Sequence, residues 1–122
     1  MSAPFLKEYR KLTIGAPADT LRELWGKPTV EDSDGFVYKM SDSETIQIMI
    51  GPEKNISAIA VTFDNGKGAP SFADVFGEAV LPEKRENGSV YKMVRYPDAG
   101  YWVAYYMGPP ENATVSVTMQ KL

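Results

Sequence analysis

Apolar and polar positions alternate with a period of two, or run apolar, over six stretches: 36–40, 46–50, 57–63, 89–96, 101–107 and 113–120. Strands place successive side chains on opposite faces, and these stretches are rich in the β-branched and aromatic residues that suit a pleated surface. Ser41-Asp42-Ser43, Gly51-Pro52 and Pro97-Asp98-Ala99-Gly100 separate neighbouring stretches with turn chemistry. Such short connections predict antiparallel pairing. Helical spacing shows twice. Leu21, Leu24 and Trp25 stand at i, i+3 and i+4, with Pro17 suited to a first turn, Asp19 to the helix dipole, and Gly26 and Pro28 to termination. Phe72, Val75 and Phe76, followed by Gly77, repeat that spacing.

The period assigns faces. If helices cover one side, the buried set is Tyr38, Met40, Ile46, Ile48, Ile50, Ile59, Val61 and Phe63, then Tyr91, Met93, Tyr101, Val103, Tyr105, Met107, Val115, Val117 and Met119. The other side then carries Lys39, Gln47, Met49 and Thr62, then Lys92, Val94, Tyr96, Trp102, Ala104, Tyr106 and Thr118. That second face is mixed, and aromatic in its C-terminal half. Phe5, Leu6, Tyr9 and Leu12 fit a short amphipathic helix at the edge.

The second half of the chain echoes the first. Leu21, Leu24, Trp25 and Gly26 match Phe72, Val75, Phe76 and Gly77; Val37-Tyr38-Lys39-Met40 returns as Val90-Tyr91-Lys92-Met93. The turn Gly51-Pro52-Glu53-Lys54-Asn55 returns as Gly108-Pro109-Pro110-Glu111-Asn112, and Ala60-Val61-Thr62-Phe63 as Ser116-Val117-Thr118-Met119. Matched blocks in one order predict an internal duplication, residues 12–64 and 68–121, within a single domain of residues 1–122. The expected fold class is α+β: two tandem helix-plus-three-strand repeats forming one antiparallel sheet with the helices packed on one face.

Composition narrows the chemistry. A chain of 122 residues, 43% hydrophobic and 24% charged, is of a size to fold around one core. A net charge of −3 argues against nucleic acid or anionic lipid as partner. There is no His and no Cys, which removes Ser-His-Asp and Cys-His catalysis, thiolate clusters and histidine-ligated metals. No apolar run approaches the ~20 residues that span a bilayer. Residues 1–10 are charged where a signal peptide needs an apolar stretch, so none is expected in this sequence. A periplasmic or secreted setting would require that a leader has been removed; the alternative is cytoplasmic.

Several motifs read more simply than they look. Glu31-Asp32-Ser33-Asp34-Gly35 hints at a calcium loop, but Val30 and Ser41 stand where that loop needs acids, leaving a solvated turn. Gly66-Lys67-Gly68 lacks phosphate-loop spacing and reads as a connection. Glu53, Glu83, Glu86 and Glu111 fall in loops without convergence. Asn55, Asn87 and Asn112 each open an Asn-x-Ser/Thr triplet and are read as turn residues.

Leu12-Thr13-Ile14-Gly15-Ala16-Pro17, then Leu21, Leu24-Trp25-Gly26, Pro28 and a Tyr-bearing strand, is similar to the opening of the SmpA/OmlA (BamE-like) envelope lipoproteins. The tandem doubling resembles the β-lactamase inhibitor protein family. Pro17 departs from the usual Thr, and neither a lipid-attachment Cys nor disulfides exist here. The resemblance implies non-enzymatic protein binding, in the envelope or outside the cell, through an exposed sheet face.

The expected activity is therefore protein binding through the aromatic sheet face, centred on Trp102, Tyr106 and Tyr96 with Met49, and with Lys39 and Lys92 at its margin. Aromatic and Met side chains bury large areas while freezing few torsions. The partner is another protein, self-association included; no catalytic residue, metal or cofactor is expected. Two alternatives remain: a carrier of a small apolar ligand held between the sheet and a loop such as 79–87, and a hydrolase using carboxylates or lysine.

Overall fold

The computed structural model describes residues 14–31, 35–69, 71–76, 80–98 and 100–122. Among the described residues two short α-helices, α1 (Asp19–Trp25) and α2 (Phe72–Phe76), accompany eight strands: β1 (Val30–Glu31), β2 (Gly35–Lys39), β3 (Glu44–Ile50), β4 (Ile56–Phe63), β5 (Glu83–Lys84), β6 (Val90–Tyr96), β7 (Tyr101–Met107) and β8 (Val115–Lys121). The strands form one antiparallel sheet in the order β1-β2-β3-β4-β8-β7-β6-β5. Local chemistry closes the hairpins. Ser41 Oγ accepts hydrogen bonds from the Ser43 and Glu44 amides between β2 and β3, and Gly51 N–H donates to the Asn55 carbonyl between β3 and β4.

The expected α+β arrangement of two helix-plus-three-strand repeats, with helices packed over one face, is corrected by this structure. The fold is the eight-stranded antiparallel sheet itself, with the helices reduced to seven and five residues. Eight strands at about 4.8 Å spacing make a sheet roughly 34 Å wide. At about 1.5 Å per residue α1 reaches only about 10 Å. Segments so short cannot form a layer. They supply single side chains instead: Leu21, Val75 and Phe76 are buried with the core, and Trp25 and Phe72 pack against it. Phe72 meets Tyr105 edge-on at 5.4 Å. The added strands β1 and β5 lie where the sequence shows no alternation, and each pairs over two residues with β2 or β6.

One face of the sheet holds the core: Tyr38, Ile46, Ile48, Ile59, Val61, Phe63, Tyr101, Val103, Tyr105, Val115, Val117 and Met119 are all buried. Strand β6 is inverted relative to the expectation. Val90 and Tyr96 are buried and Met93 is 41% exposed, so Lys92, Val94 and Tyr96 lie on the core side while Tyr91, Met93 and Arg95 lie opposite. Leu24, expected in the helix stripe, is exposed as well. Helix α1 stops at Gly26, whose φ of 76° favours glycine, so the segment buries only Leu21 fully and leaves Leu24 on its outer side. The N-terminal segment carrying Phe5, Leu6, Tyr9 and Leu12 lies outside the described residues. Among the described residues no helix is long and apolar enough to cross a membrane.

Candidate functional site

Cross-strand register arranges the face opposite the core into three rows. The first runs Lys39, Thr45, Thr62, Ser116, Tyr106, Tyr91, Glu83. The second runs Val30, Val37, Gln47, Ala60, Thr118, Ala104, Met93, and the third runs Gly35, Met49, Ala58, Gln120, Trp102, Arg95. Directly paired residues share a face, so each row is a line of neighbouring side chains. Bulk is distributed unevenly along them. Tyr91, Met93, Arg95, Trp102 and Tyr106 crowd the β6–β7 side, whereas the seam of β4 and β8 carries only Ala, Thr, Ser and Gln.

Of the residues expected to form the site, Trp102 and Tyr106 stand on this face, half-buried on β7. Four residues of strand separate them by about 13 Å. Met49 shares the third row with Trp102 and is exposed, but three strand spacings, about 14 Å, lie between them. Lys39 is exposed at one end of the first row, its amide donating to Thr29 Oγ1 at 3.1 Å. Tyr96 and Lys92 do not join them. Tyr96 is buried opposite Tyr101, with ring centroids 6.0 Å apart, and Lys92 lies opposite Tyr105 with its ammonium 3.9 Å from Glu83.

The sequence reading missed Tyr91, Met93 and Arg95. The hairpin of β6 and β7 held the signal for them. Tyr96 and Tyr101 flank its four-residue turn and face one another, so an inward Tyr101 fixes Tyr96 inward and Tyr91 outward. The Arg85 guanidinium lies 5.1 Å from the Tyr91 ring centroid, extending the aromatic end of the face with a cation–π contact.

Ionisable groups offer little chemistry. Burial raises the hydroxyls of Tyr38, Tyr96, Tyr101 and Tyr105 above the usual phenol value, and raises the Glu44 carboxyl. None of these stands on the open face beside a second perturbed group. Among the described residues no set of three Asp, Glu, His or Cys could hold a metal. A cleft of about 380 Å³ lies beyond the sheet face, lined by Pro17, Asp19, Arg22, Glu31, Phe36 and Lys54 among others. Arg22 in its lining is paired with Glu31 and lies 5.5 Å from the Phe36 ring centroid; the hydrogen bond to Glu31 raises its already high pKa. Its lining holds both acids and bases, Asp19, Glu31 and Glu53 with Arg22 and Lys54. Residues 81–88, near which a carried ligand was expected, are exposed throughout.

Of the three Asn side chains of the Asn-x-Ser/Thr triplets, Asn87 and Asn112 make local bonds and Asn55 reaches back to the segment before α1. Asn55 Nδ2 donates to the Gly15 carbonyl at 2.9 Å, Asn87 Oδ1 accepts from the Ser89 amide, and Asn112 Oδ1 accepts from the Thr114 hydroxyl.

No family model matches the chain, and no curated protein matches it. A solved structure, that of the DUF4309 family protein YjgB from Bacillus subtilis subsp. subtilis str. 168, is similar over 98% of this chain and 88% of its own length. At 13% sequence identity and a TM-score of 0.62, this likeness shows a shared fold.

Proposed function

We propose that this chain is a non-enzymatic binding domain that engages another protein through the face of its sheet bearing Tyr91, Met93, Trp102 and Tyr106. The observation that carries the reading is the partial exposure of these aromatic rings, with Met93 exposed beside them, on the side opposite Leu21, Val75 and Phe76, the helical residues buried in the core. Aromatic, Met and Arg side chains are the residue types enriched at interface centres, and Tyr91, Trp102, Met93 and Arg95 bring all of them together here.

The sheet edges favour face docking over strand addition. Partners that extend a sheet need a long strand edge free of charge, but β1 and β5 pair over only two residues each and carry Glu31, Glu83 and Lys84, and the stretch of β6 beyond β5, 92–96, carries Lys92 and Arg95. The face is the larger apolar opportunity.

A photo-crosslinking residue in place of Tyr106, compared with one in place of Leu24 on the core side, tests the reading in cells that make the protein. Adducts to a polypeptide are expected from position 106 and not from 24. Equal yields from both positions, or none from 106, would overturn it.

A further inference from the structure

We infer that the partner of this face is a second copy of the chain, packed sheet on sheet about a two-fold axis parallel to the β4–β8 seam. The inference rests on the binding role proposed above and gives it an occupant. It comes from comparing the two halves of the face position by position. Rotation about that axis keeps each row in register while laying β4 over β8, β3 over β7, β2 over β6 and β1 over β5 of the other copy.

The bulkiest positions of β7 then meet smaller or softer ones. In the third row Trp102 meets Met49, a favourable sulfur–aromatic pairing. In the second row Ala104 meets Gln47 and Met93 meets Val37. In the first row Tyr106 meets Thr45, and Lys39 lies one strand from Glu83 at the opposite end of the row. Lys39 lies over Tyr91, and Glu83 beyond it already pairs with Lys92 of its own chain, so the match along this row is one of shape and not of charge. The small residues Ala60 and Thr118 lie at the axis and allow the sheets to reach the usual separation of about 10 Å.

The perpendicular two-fold lacks this match. It would set Trp102 against Tyr106 and leave Gly35 over Lys39, which crowds one half and empties the other. Area is adequate too. A face about 34 Å wide and seven residues, about 23 Å, long covers roughly 800 Å², the amount each partner contributes to an ordinary stable interface.

The chain contains no cysteine, which makes the geometry directly testable. Gln47→Cys and Ala104→Cys sit three strand spacings apart within one chain, about 14 Å and too far to bridge, yet face each other across the proposed interface. Under mild oxidation the double variant is expected to form a covalent dimer at least ten times more efficiently than either single variant. Sedimentation of the unmodified chain should show a concentration-dependent dimer, and Ala104→Arg should weaken it at least tenfold. A chain that stays monomeric to high concentration, or a dimer indifferent to Ala104→Arg, would overturn the inference. So would single variants that cross-link as readily as the double one. Crosslinks from position 106 to a different protein, with a silent cysteine pair, would reject self-pairing while leaving the binding role of the face in place.

Discussion

The Tyr38 hydroxyl donates a hydrogen bond to the Gly26 carbonyl at 3.0 Å, tying the end of α1 to strand β2. Trp25 meets the same ring edge-on at 5.1 Å. A seven-residue helix is too short to be stable alone, so its position depends on contacts of this kind. Tyr38→Phe keeps the ring and removes the bond. It is expected to lower stability by about 1 kcal/mol in urea unfolding, and Tyr38→Ala by about 3 kcal/mol or more. Equal costs for the two would show that the hydroxyl contributes nothing.

Neighbouring tyrosines on β7 should respond in opposite ways. Tyr105 is buried against Phe72, and Tyr106 is half-exposed on the other face. Tyr105→Ala is expected to cost about 3–5 kcal/mol and Tyr106→Ala less than about 1 kcal/mol, measured by chemical denaturation. Comparable losses would mean that the open face is itself a second core.

Tyr96 and Tyr101 bury hydroxyls that have no hydrogen-bond partner among the described residues. An unpartnered buried hydroxyl costs solvation without return, so Tyr96→Phe and Tyr101→Phe are each expected to be neutral or to stabilise by up to about 1 kcal/mol. A loss above about 1 kcal/mol in thermal unfolding would reveal a bond supplied by another part of the chain.

Alkaline pH should unfold the domain. Burial raises the pKa values of Tyr38, Tyr96, Tyr101 and Tyr105, so their neutral forms are favoured in the fold. Their contribution is complete below the unfolded phenol value, near pH 10, and is lost as pH rises through the higher folded values. Fluorescence-monitored unfolding should show a falling midpoint above about pH 10, with a smaller fall in a Tyr96→Phe/Tyr101→Phe variant. A midpoint flat to pH 11 would contradict this.

Gly35 leaves no room for a side chain: a Cβ built there would stand 1.9 Å from the Ile48 carbonyl oxygen. Gly35→Ala must displace the β2–β3 backbone, at an expected cost of about 3 kcal/mol. Retention of wild-type stability would mean that the two strands part more easily than their pairing implies.

Much of this architecture was legible in the residues. Period-two alternation and Ser, Gly and Pro turns placed the six long strands, and the Pro17 and Gly26 signals bracketed α1. What escaped did so for physical reasons. Strand β6 carries apolar groups on both faces, Val90, Val94 and Tyr96 against Tyr91 and Met93, so its period alone does not choose a side. Matching Tyr91 to Tyr38 chose the wrong one, since a one-residue shift exchanges the faces. That error moved Tyr96 and Lys92 into the expected site and left Tyr91, Met93 and Arg95 out. Strands β1 and β5 have no pattern of their own; they are exposed pairs held by β2 and β6, and only the tertiary structure creates them.

The brevity of β1 and β5 determines how this protein can crowd. Backbone groups that end after two residues give an incoming chain little to zip onto along β1 and β5, and the charges Lys92 and Arg95 guard the stretch of β6 beyond β5. Contact through the broad faces instead closes on itself once two faces have met. If the faces pair as inferred, concentrating the protein should favour discrete particles over fibrils or gels.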